Sequence, residues 1–139
     1  MRAAASAFRA GLERGGLRMI SLAQFPKGSC GDTCELLGQF LADKGLGDWQ
    51  YRSGQRDEPF HTHAWLEQNG LILDITADQF PDINEPVVLT WAPGWHAQFQ
   101  LMGGRRVANL RWFDCHDHVD DVQWTYAELV RRAVDSPAA

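Results

Sequence analysis

Two cysteines, Cys30 and Cys34, lie close together in the segment QFPKGSCGDTCELL, residues 24–37. A cysteine acts as a nucleophile when a helix N-terminus and a neighbouring imidazole stabilise its thiolate. Ser29 and Asp32 have the spacing of an N-capping pair, which predicts that Cys30 opens a helix. Cys34 would lie one turn further in, where the free N–H groups are already used. We therefore expect Cys30 to be the reactive thiol and Cys34 to pack in the core.

A base and an orienting acid are found in the segment THAWLEQNGLILDIT, residues 62–76. Two β-prone runs flank Asn69-Gly70, which is a strong hairpin signal. A two-residue turn there places His63 and Asp74 on one face of the hairpin as diagonal neighbours, about 7–8 Å apart between backbones. This spacing allows a hydrogen bond between the two side chains.

These residues supply the parts of a cysteine triad. Asp74 would orient the imidazole of His63, and His63 would exchange a proton with Cys30. Gln24, six residues before Cys30, offers a side-chain amide that would join the Cys30 N–H as an oxyanion donor. His61 shares the strand face of His63 and is a second candidate base.

The order of these motifs resembles the papain-like superfamily. The pattern Q-x5-C at a helix start, then HAW on a strand and an aspartate on the next strand, is similar to the Cys-His-Asp proteins of the transglutaminase-like group. Members of that group include bacterial arylamine N-acetyltransferases and lasso-peptide leader peptidases, and the HAWLE…G…LD segment resembles the leader peptidases in particular. The resemblance covers residues 22–80. It implies that Cys30 is the nucleophile, His63 the base, Asp74 the orienting acid and Gln24 the oxyanion donor.

This resemblance implies an α+β fold of the papain-like or transglutaminase-like type, with the nucleophile-bearing helix packed on an antiparallel sheet, in a single domain over residues 1–139. The implied activity is that of a cysteine-dependent hydrolase or acyltransferase acting on an amide or thioester, as a peptidase, amidase, deamidase or transglutaminase-like enzyme. The expected substrate is a peptide or protein amide, and no cofactor or metal is needed for the triad. Gly31 follows Cys30 where the family often has an aromatic residue, so the sequence does not define the substrate.

Two non-enzymatic interpretations remain open at this stage. The chain could be a binding module that keeps the fold and uses its tryptophan-rich surface for a protein partner. Alternatively, Cys30 and Cys34 could form a zinc site with the segment DCHDH, residues 114–118, although the spacing matches no familiar zinc motif. Asp78 competes with Asp74 as the acid, with a turn or surface role as its simpler interpretation.

The remaining pattern predicts helices before and after a group of antiparallel strands. We expect a first helix that ends near residues 15–16, the Cys30 helix stopping before Gly45, and an exposed loop over residues 48–60. Strands are expected in PVVLTW (86–91) and as two strands joined at residues 103–104. A capping box at Thr125 and Glu128 predicts the start of a closing helix.

Composition limits the function classes. The chain has 139 residues, of which 45% are hydrophobic, and no apolar run approaches the length needed to span a bilayer. Its formal net charge of −5 does not favour nucleic-acid binding. Three cysteines do not suggest a disulfide framework, which predicts a cytoplasmic location. The sequence does not define the oligomeric state.

Overall fold

The computed structural model describes residues 1–135. Over this range the chain forms three α-helices and five β-strands, so the predicted α+β class is confirmed. The helices are α1 (Arg2–Glu13), α2 (Cys30–Asp43) and α3 (Val119–Val134), and the strands are β1 (Gln50–Asp57), β2 (Phe60–Gln68), β3 (Leu71–Asp74), β4 (Val88–Thr90) and β5 (Gln100–Val107). None of the described helices combines the length and the apolar character needed to cross a membrane.

The five strands form one antiparallel sheet in the order β4-β3-β2-β1-β5. The β2–β3 hairpin turns at Asn69 and Gly70, whose φ angles of 52° and 87° both lie in the left-handed region. Asn-Gly tolerates this conformation better than other residue pairs. The turn pairs Leu66 with Leu73, which is the predicted register.

Side chains of the hairpin alternate between two hydrophobic clusters. Leu66 and Leu73 join the large core formed with all three helices, whereas Trp65 and Ile72 join a smaller aromatic cluster. Adjacent residues point to opposite faces of a sheet, so the two clusters lie on its two sides. Each fully buried leucine of the large core contributes about 1.5–3 kcal/mol relative to an exposed one. The sheet is thereby fixed between two packed layers.

The predicted loop over residues 48–60 is wrong, because most of it forms strand β1. β1 lies inside the sheet and pairs with β2 on one side and β5 on the other. Its polar sequence carries no strand pattern, so its conformation comes from pairing at both edges. Gly54 is required there, because a Cβ at this position would lie 2.8 Å from the Cβ of Phe99.

β5 is one strand and not two strands joined at Gly103-Gly104, as the sequence suggested. The register against β1 shifts between the pairs Tyr51–Arg106 and Ser53–Met102, so extra residues of β5 are accommodated in a bulge. Gly103 adopts a φ of +66° inside this bulge. The glycines therefore bend a continuous strand and do not end it.

The helix termini confirm part of the prediction. α1 ends at Glu13, shortly before Gly15 and Gly16, as expected. α3 begins at Val119, so the predicted capping box is wrong. Thr125 lies fully buried within α3, and its Oγ1 accepts a hydrogen bond from the backbone of Arg18 at 3.3 Å.

Candidate active site

Cys30 is the first residue of α2, as predicted. The first backbone hydrogen bond of this helix joins Thr33 N–H to the carbonyl of Ser29 at 2.9 Å. The N–H groups of Cys30 and Gly31 precede that bond and have no acceptor within residues 1–135. The beginning of α2 therefore presents free backbone donors beside the thiol.

The predicted capping pair does not form. Ser29 occupies the N-cap position, but its hydroxyl donates to the carbonyl of Pro26 at 3.0 Å. Asp32 instead accepts a hydrogen bond from the Ser21 hydroxyl at 2.5 Å. Because both polar side chains are engaged outside the helix, neither occupies the N–H groups around the thiol.

The three cysteines occupy three different environments. Cys34 is buried in the large core, and burial raises the pKa of its thiol well above the ordinary value. Cys115 is exposed and Cys30 is half-buried. Cys30 is therefore the thiol that lies at a helix start and still reaches the surface.

His63 and Asp74 form a buried pair, as the hairpin register predicted. The Nε2–H of His63 donates to Oδ2 of Asp74 at 2.7 Å, and the two side chains are 0% and 1% exposed. The other oxygen, Oδ1, accepts from the backbone N–H of Thr76 at 2.9 Å. Asp74 is the last residue of β3, one residue past the final β2–β3 pair, Leu66–Leu73.

The electrostatics of the pair favour charge on both partners. Burial by itself would lower the pKa of His63, but the charge and hydrogen bond of Asp74, together with Cys30, raise it to about 9. Burial would likewise raise the pKa of Asp74, yet His63 and His96 hold it well below its usual range. Asp74 is therefore ionised and acts as an acceptor toward both imidazoles.

His96 is a site residue that the sequence did not reveal. Its Nε2–H donates to the same Oδ2 of Asp74 at 2.7 Å, and its side chain is buried. It lies in a short 3₁₀ turn, His96–Gln98, and is 22 residues from Asp74 along the chain. No strand or helix pattern connects these residues, so the only signal was a histidine within the aromatic segment 91–99.

The paired imidazoles are enclosed by aromatic rings. Phe80 and Trp95 lie edge-on to His63, with centroid distances of 5.1 and 5.7 Å, and Phe99 lies at 5.7 Å. Trp95 also contacts His96 edge-on at 4.9 Å. This enclosure excludes water and strengthens the hydrogen bonds of the pair.

His63, Asp74 and His96 also have the chemistry of a metal-binding set, since their potential ligand atoms lie within 4.8 Å of one another. A tetrahedral ion with bonds of about 2.0–2.1 Å would separate its ligand atoms by about 3.3 Å. Here both nitrogens lie 2.7 Å from the Asp74 oxygen, which is a charge-assisted hydrogen-bond distance. The geometry thus fits shared protons better than an ion.

The zinc set considered from the sequence does not come together. Within residues 1–135 the metal-type group just described is the only one, and it includes neither Cys30 nor Cys34. His116 and His118 are exposed beside each other, with ring centroids 5.3 Å apart. The DCHDH segment lies in an exposed turn before α3 and is not joined to the Cys30 region.

The second nitrogen of His63 is directed away from Asp74. Because Nε2 is engaged by Asp74, Nδ1 is the nitrogen left for a further partner, and Cys30 is among the influences that raise the pKa of His63. Gln79 lies next to this nitrogen, with its Nε2 3.5 Å from Nδ1. The same amide donates to the carbonyl of Thr76 at 3.0 Å, which fixes its orientation.

Cys30 opens into a cleft of about 780 Å³ between the start of α2 and the β1–β2 end of the sheet. The side chains that line it include those of Cys30, Arg56, Phe60, His61, Gln79 and Phe80. This volume is large enough for a short peptide or an acyl chain of similar size. The cleft gives an external carbonyl access to the thiol.

The three other residues considered from the sequence, Gln24, His61 and Asp78, lie in different environments. Gln24 is exposed in the turn before α2 and lines a hollow with Lys27 and Gly28, which also border the cleft. Its role as an oxyanion donor stays a prediction. His61 is exposed at the cleft. Asp78 does not act as the orienting acid, because its two oxygens bind Nη1 and Nη2 of Arg9, each at 2.7 Å.

The arrangement combines a half-buried thiol at a helix start, a buried imidazole whose pKa that thiol helps to raise, and a carboxylate held by three donors. Comparison of the chain with protein-family models, with curated protein sequences and with solved structures gave no match.

Proposed function

We propose that this protein is a cysteine-dependent hydrolase or acyltransferase that acts on an amide or thioester carbonyl. Cys30 is the nucleophile, His63 the general base and acid, and Asp74 the group that orients His63. One observation carries the proposal: the buried Asp74–His63 pair engages Nε2 and not Nδ1, and Cys30, at the start of α2, is among the groups that raise the pKa of His63. Paired groups of this kind in a cleft are the usual signature of nucleophilic catalysis.

The chemistry follows from these positions. The proton of the Cys30 thiol passes to Nδ1 of His63, and Asp74 stabilises the imidazolium that results. The thiolate of this ion pair attacks the substrate carbonyl carbon, forming a C–S bond. The carbonyl electrons move to the oxygen, where the N–H groups of Cys30 and Gly31 stabilise the negative charge. His63 then gives the proton to the departing amine or thiol, and an acyl group remains on Cys30. Attack by water completes hydrolysis, and attack by an amine completes transfer.

His96 has a positioning role in this scheme. It binds the same Oδ2 of Asp74 as His63, with the two imidazole centroids 6.3 Å apart, and it does not line the cleft. With Thr76 holding Oδ1, the carboxylate cannot rotate away from His63. The imidazole is therefore kept with its proton on Nε2 and its other nitrogen toward the thiol.

The fold supports a papain-like or transglutaminase-like relationship as part of the proposal. α2 packs against β2, so the cysteine-bearing helix lies directly on the sheet that carries His63 and Asp74. A peptide or protein amide is the expected substrate class, because the cleft is open at the surface and has a volume of about 780 Å³.

Site-resolved alkylation tests the proposal. Iodoacetamide would be added from pH 5 to pH 9, and each cysteine would be followed by peptide mass spectrometry. At pH 6 we expect Cys30 to react faster than the exposed Cys115, because His63 accepts its proton, while Cys34 stays unreactive in the folded protein. His63→Gln should slow Cys30 alone, and His116→Gln, at an exposed histidine outside the cleft, is the matched control.

Uniform reactivity of Cys30 and Cys115 would contradict the proposal. If Cys30 and Cys115 reacted at the same rate across the pH range, and His63→Gln changed neither, the thiol and imidazole would not be coupled and the proposal would fail. Circular dichroism of each variant shows whether a changed rate comes from unfolding.

A further inference from the structure

The cleft beside Cys30 has a cationic and aromatic lining. Its basic side chains are those of Lys27, Arg56 and His61, and its aromatic rings are those of Phe60 and Phe80. Among the described residues that line it, none carries a carboxylate. The protein as a whole has a formal net charge of −5, so this local excess of positive charge runs against the overall balance.

Arg56 is held in a fixed position at this cleft. It lies on β1 directly opposite His61 on β2. Its Nη1 donates to Oε1 of Gln98 at 2.6 Å, and its guanidinium lies over the rings of Phe80 and Phe99, at 5.1 and 5.6 Å from their centroids. A guanidinium held in this way loses little freedom when it binds a ligand.

The rest of the Arg56 guanidinium lacks acceptors. Its Nε is buried without a hydrogen-bond partner, and Nη2 has no acceptor within residues 1–135. Nη2 is therefore the part of the guanidinium that remains available to a ligand. Its N–H groups can bind a carboxylate through charge-assisted hydrogen bonds.

We propose that the cleft selects acyl donors that carry a carboxylate, with Arg56 binding the carboxylate and Lys27 adding positive charge at the rim. The apolar part of the donor packs on Phe60 and Phe80, and its carbonyl reaches Cys30. The inference rests on the proposed function, because it names the substrate class of the same cleft. The carboxylate comes either from an acidic side chain or from a free C-terminus, and the chemistry of recognition is the same.

Three bromoacetyl probes of nearly equal shape test this proposal. Each alkylates a thiol by forming an S–C bond while bromide leaves. N-bromoacetyl-glutamine amide is neutral, N-bromoacetyl-glutamate amide carries a side-chain carboxylate, and N-bromoacetyl-glutamine carries a free C-terminal carboxylate. The rate at Cys30 is measured by mass spectrometry for each probe, at low salt and at high salt.

We expect at least one anionic probe to react about tenfold faster than the neutral probe, as a charge-assisted hydrogen bond of ordinary strength would give. Arg56→Gln should remove this preference, and Lys27→Gln, at an exposed position, should reduce it. Arg105→Gln, the matched control, removes the same charge from an exposed arginine outside the cleft and should leave the preference intact. The preferred anionic probe identifies the source of the carboxylate.

Equal rates for all three probes, or a preference that survives both Arg56→Gln and Lys27→Gln, would overturn the inference. The neutral probe separates this outcome from failure of the proposed function. If its rate at Cys30 did not depend on His63, the triad would fail, while the ratio of anionic to neutral rates would still report on Arg56.

Discussion

Replacement of Asp74 by asparagine removes the charge that holds His63 protonated. The rise in the pKa of His63 from 6.5 to about 9 corresponds to about 3 kcal/mol in favour of the charged imidazolium in the folded state. A histidine whose folded pKa is raised stabilises the protein fully below the unfolded value, and this contribution is lost as the pH rises through the folded value. The free energy of unfolding of the unmodified protein should therefore fall by about 3 kcal/mol between pH 6.5 and pH 9.

In Asp74→Asn this decrease in the free energy of unfolding between pH 6.5 and pH 9 should disappear. Burial of His63 then lacks an opposing charge, so its pKa falls below 6.5, and the variant should be about 3–5 kcal/mol less stable at pH 6. The difference in the free energy of unfolding between the two proteins should become smaller toward pH 9, where His63 loses its charge in the unmodified protein as well. Asp57→Asn is the matched control, because it removes the same charge from an exposed position at the end of β1.

Urea unfolding at each pH, followed by tryptophan fluorescence, measures the free energies, and NMR of the imidazole nitrogens measures the titration of His63 directly. The reasoning would be refuted if the unmodified protein showed no loss of stability between pH 6.5 and pH 9, or if His63 titrated near pH 9 in Asp74→Asn as well. Either outcome would mean that Asp74 does not hold the imidazolium.

Three further predictions concern the surroundings of the site and the core. His96→Phe should lower the free energy of unfolding by about 1–3 kcal/mol, because Asp74 loses a buried donor, and His96→Gln should recover part of this loss in urea unfolding. Gly38→Ala should lower stability by about 1–3 kcal/mol in thermal unfolding, since its Cβ would clash with the backbone of Ala108. Arg106→Met should leave the buried Glu35 unpaired and destabilise the protein by about 3–5 kcal/mol at pH 7, with a smaller loss at pH 5, where that carboxylate takes up a proton more readily.

The part of the site that lies within one hairpin could be predicted from the sequence. Asn69-Gly70 determines the turn, the turn determines the register, and the register brings His63 within reach of Asp74. In the hairpin the signal and its consequence lie within about 15 residues, so no knowledge of the tertiary structure was needed. Cys30 also lies at the start of α2, as expected, although the capping pair that indicated this start does not form.

The features that could not be predicted from the sequence depend on contacts between segments that are distant along the chain. His96 reaches Asp74 from an irregular turn 22 residues away, and no periodic pattern records that approach. β1 looked like a loop because its polar residues are stabilised by strands on both sides. Ser29 and Asp32 matched a capping pattern, but Pro26 and Ser21 provided other partners.

Trapping of an acyl-enzyme tests the central claim most directly. The protein would be mixed with a p-nitrophenyl ester, quenched in acid and examined by intact-mass and peptide mass spectrometry. If Cys30 is a nucleophile assisted by His63, one acyl group should be found on Cys30, none should form in Cys30→Ala although Cys34 and Cys115 remain, and His63→Gln should greatly reduce it. An acyl group that forms equally in His63→Gln, or that is found on Cys115 and not on Cys30, would contradict the account.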